Sequence, residues 1–344
     1  MNFSKKDRGI NMKRITIYDV AKEAEVSLAT VSRVINGSEV VREDTRLKVQ
    51  EAIEKLGYKP NAIAQGLALQ KTTTIALVIP EASFYYTGQI INGLIDVAKI
   101  YNYNIVLHTT TEGINRTNDI IETIIKSRVD GVVIFNDKLA QEELTTLTNY
   151  QVPIVVIGNR VNAENICSVY VDYAKLIYDY VDRYIKKGKT NIALVEDRKN
   201  PAMIHQLNEG MEKAFKDNGL AFDNYISIPK EYRSSYVFLK EYFQNHKHDL
   251  VITYRDSQAM AVLNTTKELG MSIPNDLELV CVLDSKYNAM ARPQISGFKI
   301  PDYDLGAVSM RVMTKMLQDD GEEENYNRET ELSYVFTPRQ TTNK

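Results

Sequence analysis

Between Thr16 and Gly37, the 344-residue chain sets the short donors Ser27, Thr30, Ser32 and Asn36 and one guanidinium, Arg33, on a stretch of helical spacing. Phosphate oxygens and base edges are hydrogen-bonded by this kind of side chain, provided that the face carrying them is solvated. Leu28 and Ala29 stand at the entry to the same stretch. Apolar groups in that place gain nothing from water, whereas thymine methyls offer them a partner. A three-helix bundle that binds nothing would share the helix spacing, so the nucleic-acid reading rests on the side chains themselves.

A second kind of chemistry is suggested by two carboxylates at strand ends. Asp256 follows the apolar run 250–253, and Asp284 follows 279–283. Such groups act as general bases or bind sugar hydroxyls, and the lack of a positioned histidine or nucleophile beside either favours binding. The sequence has no GxGxxG after a strand, no GxxxxGK[ST], no GxSxG, no HExxH and no Cys/His cluster. Neither an enzyme nor a metal or other cofactor is therefore expected. Cys167 and Cys281 lie far apart in strand-like apolar runs, which predicts buried, inert thiols in a reducing cytosol.

The elements that must position these groups follow from periodicity. Helical patterns cover 17–23, 27–34 and 44–56, the last with apolar Leu47, Val49, Ala52, Ile53 and Leu56 on one stripe. Ser27 suits the N-cap of the second helix, and the short link Ala24-Glu25-Val26 makes the pair a helix-turn-helix. Glu25 departs from that pattern, because it occupies the turn position where glycine is most comfortable. The run 57–61 breaks the helical pattern, and 61–69 predicts a small hinge helix weakened by Gly66.

From Thr74 the texture changes. Strand-like runs at 75–79, 104–107, 131–135 and 154–157 alternate with helical stretches at 88–100, 118–126 and 141–149. The rhythm restarts with helices at 174–187, 204–218 and 258–269 and strands at 191–195, 250–253 and 277–282. Such alternation predicts two doubly wound parallel-sheet subdomains with a ligand cleft between them. The acidic run 319–324 reads as a solvated loop.

Charge divides the chain in the same place. Residues 1–71 carry 13 Lys+Arg against 9 Asp+Glu, and the remaining 273 carry 29 against 36. A basic head on an acidic body predicts that only the head meets a polyanion. No apolar run approaches the ~20 residues of a membrane helix, and 1–14 is a charged extension without the apolar centre of a secretory signal. A cytoplasmic protein with no membrane partner is expected.

The runs 16–24 and 26–37, with 58–68 after them, resemble the head and hinge of LacI/GalR regulators, and the resemblance extends from about residue 15 to 337. It implies an N-terminal all-α helix-turn-helix head with a hinge helix, followed by an α/β periplasmic-binding-protein-like core. The implied boundaries are 1–14 extension, 15–59 head, 60–72 hinge, 73–172 plus 301–320 core N-subdomain, and 173–300 plus 330–340 core C-subdomain. The family's mode of action implies a homodimer that places two heads in successive major grooves of a pseudo-palindromic operator, chiefly as a repressor. Matched position by position, the DNA-facing residues would be Tyr18, Ser27, Leu28, Ala29, Thr30, Ser32, Arg33, Asn36, Lys59, Asn61, Leu67 and Ala68. Leu67 would wedge into the central base step, a role for which an apolar side chain on a marginal helix is suited.

The family's effector cleft would use Tyr86, Asp256 and Asp284, but Leu207 stands where the family has a sugar-binding arginine. Losing a bidentate guanidinium removes a main anchor for a small polar ligand. The runs 70–74, 100–105 and 303–315 are similar to the catabolite-control branch of the family in low-GC Gram-positive bacteria. That similarity implies docking of serine-phosphorylated HPr on Tyr303, Asp304, Val308, Arg311 and Lys315. Arg311 and Lys315, four apart, share one helical face, as a phosphoserine requires. The alternative is release by a free sugar or sugar phosphate in the cleft.

Overall fold

The computed structural model describes residues 15–38, 40–59, 72–79, 85–109, 124, 126–135, 152–161, 165–197, 202–229, 231–318 and 326–343. The chain divides into two units, 1–72 and 73–344.

In the first unit, α1 (Ile17–Glu23), α2 (Leu28–Ile35) and α3 (Glu43–Leu56) close over a small core of Val20, Ala24, Val31, Val34, Val49 and Ala52. Asp19 starts α1 by accepting from the Thr16 N–H at 2.8 Å and the Thr16 hydroxyl at 2.7 Å. Ser27 caps α2, its hydroxyl accepting from the Thr30 N–H at 3.1 Å. Gly57, at φ +62°, ends α3 in the left-handed conformation that glycine adopts without steric cost. The turn between α1 and α2 holds Glu25 at φ +52°, where the side chain crowds the following carbonyl. Glu25→Gly is therefore expected to stabilise the head by about 0.5–1 kcal/mol, read as slower amide exchange at Val20 and Val31. Unchanged or faster exchange would show that the turn carries no such strain.

The second unit contains two six-stranded sheets. The first has the order β11-β5-β4-β3-β1-β2, built from β1 (Thr74–Ile79), β2 (Asn104–Thr109), β3 (Gly131–Phe135), β4 (Ile154–Ile157), β5 (Ile166–Tyr170) and β11 (Glu329–Glu331). The second has the order β12-β10-β9-β8-β6-β7, from β6 (Ile192–Asp197), β7 (Tyr225–Ile228), β8 (Leu250–Thr253), β9 (Glu278–Cys281), β10 (Ser296–Lys299) and β12 (Val335–Thr337). Among the described residues, all pairings are parallel except β10 with β12, which are antiparallel. Continuous apolar runs such as Ile154–Ile157 are buried throughout, as strands covered on both faces require.

Helix α4 (Tyr85–Ile100) lies with the first sheet; α5 (Tyr173–Lys186), α6 (Ala202–Asp217), α7 (Tyr232–Asn245), α8 (Asp256–Glu268) and α9 (Lys286–Met290) accompany the second. The last helix, α10 (Asp302–Gln318), returns to pack on α4, β3, β4 and β5 of the first subdomain. Gly93 of α4 and Gly306 of α10 make that return possible. A Cβ on Gly93 would strike the Tyr303 carbonyl, and one on Gly306 the Ile90 carbonyl, so the two helices meet backbone to backbone.

The third crossing between subdomains, from β11 to β12, falls later than the sequence indicates. Thr330 and Glu331 pair with Val169 and Tyr170 of the first sheet, so the chain leaves that sheet only after 331 rather than at 330. β11 is three polar residues long, and no apolar run marks it. Both cysteines are buried, and burial pushes the Cys281 thiol up to about 12. The expected hinge helix at 61–69, the helix at 141–149 and the acidic run 319–324 lie outside the described residues, as does most of the helix at 118–126. Among the described residues, no helix is long and apolar enough to cross a membrane.

Candidate nucleic-acid interface and effector surfaces

Helix α2 presents one face inward, through Val31 and Val34, and leaves the other for a partner. Leu28, Ala29 and Arg33 are exposed, and Thr30 and Ser32 are half-buried. Leu28 is 38% exposed and Tyr18 of α1 is 70% exposed, so both have surface left for a partner. Ser27 has a double duty, since its hydroxyl caps α2 and also lies 2.8 Å from that of Thr30. Asn36 ends the helix and donates weakly to the Ser32 hydroxyl at 3.5 Å. Lys59 is exposed at the end of the head. Asn61, Leu67 and Ala68 lie outside the described residues.

The outward face of α10 carries Tyr303, Asp304, Arg311 and Lys315, all exposed, with Val308 half-buried against the core. These are the docking residues expected from the sequence, and one helix holds them on a common side. Tyr303 also reaches α4, where its hydroxyl donates to Asp96 Oδ2 at 3.3 Å. Burial, and then the Asp96 carboxylate, push this phenol above its ordinary value, so it remains a donor. Sequence reasoning missed Asp96: it lies 207 residues from its partner, and no local pattern marks it. Lys99 pairs with the same carboxylate at 3.4 Å.

The cleft candidates behave differently. Asp284 was expected to face a ligand, yet both of its oxygens are held by Arg339, Nη1 to Oδ1 at 2.8 Å and Nη2 to Oδ2 at 2.5 Å. The pair is nearly enclosed, with the side chains 8% and 14% exposed, and Arg339 also donates to the Ile295 carbonyl at 2.6 Å. Asp284 thus ties the C-terminal segment to the second sheet. Asp256 Oδ2 accepts from the Ser285 hydroxyl at 2.7 Å, and Oδ1 from the Ser257 N–H at 2.6 Å. These bonds bring Asp256 and the 284–285 turn together. The side chain of Tyr86 lies outside the described residues. Leu207 is fully buried in the core, so the position expected to lack a sugar anchor contributes packing instead. One residue earlier, Gln206 Nε2 donates to Asn159 Oδ1 at 2.7 Å. Among the described residues, no group of three or more His, Cys, Asp or Glu could hold a metal ion.

Residues 16–61 match the profile of bacterial regulatory proteins of the lacI family, and residues 181–342 match that of a periplasmic binding protein-like domain. Catabolite control protein A of Staphylococcus epidermidis is 33% identical over 91% of this chain and 95% of its own. The HTH-type transcriptional regulator pepR1 of Lactobacillus delbrueckii subsp. lactis is 33% identical over 97% and 99%. Among solved structures, the lac repressor dimer bound to operator and an anti-inducer matches with a TM-score of 0.82 at 20% identity, covering 96% of this chain and 99% of that one.

Proposed function

Because the chain belongs to the lacI family of bacterial regulatory proteins, we propose that it is a repressor of carbon-source genes whose corepressor is a phosphoprotein. It binds a pseudo-palindromic operator as a homodimer in the cytoplasm, with α2 of each head in a major groove. One relative is an HTH-type transcriptional regulator, and the exposed donors and apolar entry of α2 supply what phosphates, base edges and thymine methyls need. Tyr18, Lys59 and Asn61 position the head on the backbone, and Leu67 with Ala68 is assigned to the central minor-groove step.

The effector reading is carried by one contrast. The sugar-anchor position is a fully buried leucine, whereas α10 keeps Tyr303, Asp304, Arg311 and Lys315 exposed on one helix. Serine-phosphorylated HPr fits that face, because a phosphoserine dianion takes charge-assisted hydrogen bonds from cations spaced one turn apart.

Calorimetric titration with HPr in its phosphorylated and unphosphorylated forms tests this. The phosphorylated form is expected to bind about 10–100-fold more tightly, a preference of roughly 1.4–3 kcal/mol, and Arg311→Ala is expected to remove most of it. Equal binding of the two forms, or tight binding of a hexose phosphate alone, would transfer the effector role to a small molecule in the cleft.

A further inference from the structure

We propose that the hydrogen bond from Gln206 to Asn159 is an internal latch, which joins the two subdomains of the core across their cleft in place of a bound small molecule. The proposal rests on the preceding reading that the cleft has no sugar anchor. Asn159 follows β4 in the first subdomain, and Gln206 lies on α6 in the second. Their 2.7 Å bond is half-buried, so water competes with it less than at an open surface.

Both partners are held in place before they meet. Gly158 precedes Asn159 at φ +97°, and its N–H donates to the Val169 carbonyl at 3.0 Å, fixing the turn against β5. On the other side, α6 buries Ile204 and Leu207, and Gly210 brings the helix so close to the Ala174 carbonyl that a Cβ would collide. Little conformational freedom is left to lose when the bond forms. The cleft carboxylates expected from the sequence are bonded within the second subdomain, Asp256 with Ser285 and Asp284 with Arg339. The chain itself thus supplies the cross-cleft contact.

Two domains joined by crossing strands open and close as a hinge, and a contact present only in the closed form biases that equilibrium by its own strength. Removing one ordinary hydrogen bond is expected to raise the open fraction about 3–10-fold.

Electron-spin distance measurements on the full-length chain test the latch. Cys167 and Cys281 are buried, so cysteines introduced at exposed Lys126 and Asp223 take the labels, with unlabelled chain added to dilute pairs between protomers. Gln206→Ala and Asn159→Ala should each move the distribution toward a longer, broader form, and the double variant should match either single one. Gln206→Glu, whose carboxylate accepts from the Asn159 amide, should keep the parent distribution. Unchanged distances in both alanine variants, additive shifts in the double variant, or equal shifts for Ala and Glu at 206 would each overturn the latch. Titration of the parent protein with a hexose phosphate is read separately, because heat there overturns the effector reading and leaves the latch to the distances.

Discussion

Arg33→Ala should weaken operator binding by about 1–3 kcal/mol per half-site, roughly five- to 150-fold, if the guanidinium reads a base edge. Arg33 is exposed in the last turn of α2 and is the one guanidinium on that helix. Its polar neighbours there are hydroxyls and an amide, which reach less far and carry no charge. Two half-sites double the loss when the heads act independently. Competition between operator and random duplex at several salt concentrations checks the assignment. Loss of preference with a small change in salt slope marks base reading, whereas an unchanged preference with a slope smaller by about one per head marks a phosphate contact.

Arg339→Ala is expected to destabilise the core by about 3–5 kcal/mol, because it strands a nearly enclosed carboxylate. Arg339 and Asp284 are 14% and 8% exposed and bonded through two parallel contacts, and the Ile295 carbonyl loses its donor in the same change. Denaturant unfolding of the full chain, followed through its tyrosines, measures the loss. Adding Asp284→Asn should recover part of it, since a neutral amide costs less to leave without a cation. A loss below about 1 kcal/mol would place the pair among ordinary surface bridges.

The head was legible in the sequence nearly residue by residue. Its helices are short, their caps are local, and Val49, Ala52, Ile53 and Leu56 of the predicted α3 stripe face the core, although Leu47 of the same stripe is exposed. Even the strain at Glu25 followed from a turn that favours glycine. In the core, buried strands with continuous apolar runs were readable, but β7, β10, β11, β12, α7 and α9 were not. β7 alternates, β11 is polar, and α7 mixes Tyr, Phe and Ser without a clean stripe. Arg311 and Lys315 could be read because they lie four apart on one helix. The Asp284–Arg339 pair spans 55 residues and the Gln206–Asn159 pair 47. Contacts of that range depend on tertiary packing, which no window along the chain contains.

The order of synthesis gives the Arg339–Asp284 pair a further meaning. The head has its own core and is complete once residue 59 has emerged, whereas the second sheet still needs β12 and Arg339. At about 5–20 residues per second, roughly 15–60 s separate those two moments. For that interval the nascent chain carries a folded helix-turn-helix head on an unfinished core. A ribosome that stops before codon 339 would leave the same product permanently, with the Asp284 carboxylate lacking its guanidinium. Such a product would be an unregulated competitor for the operator, and its unfinished core would mark it for proteolysis.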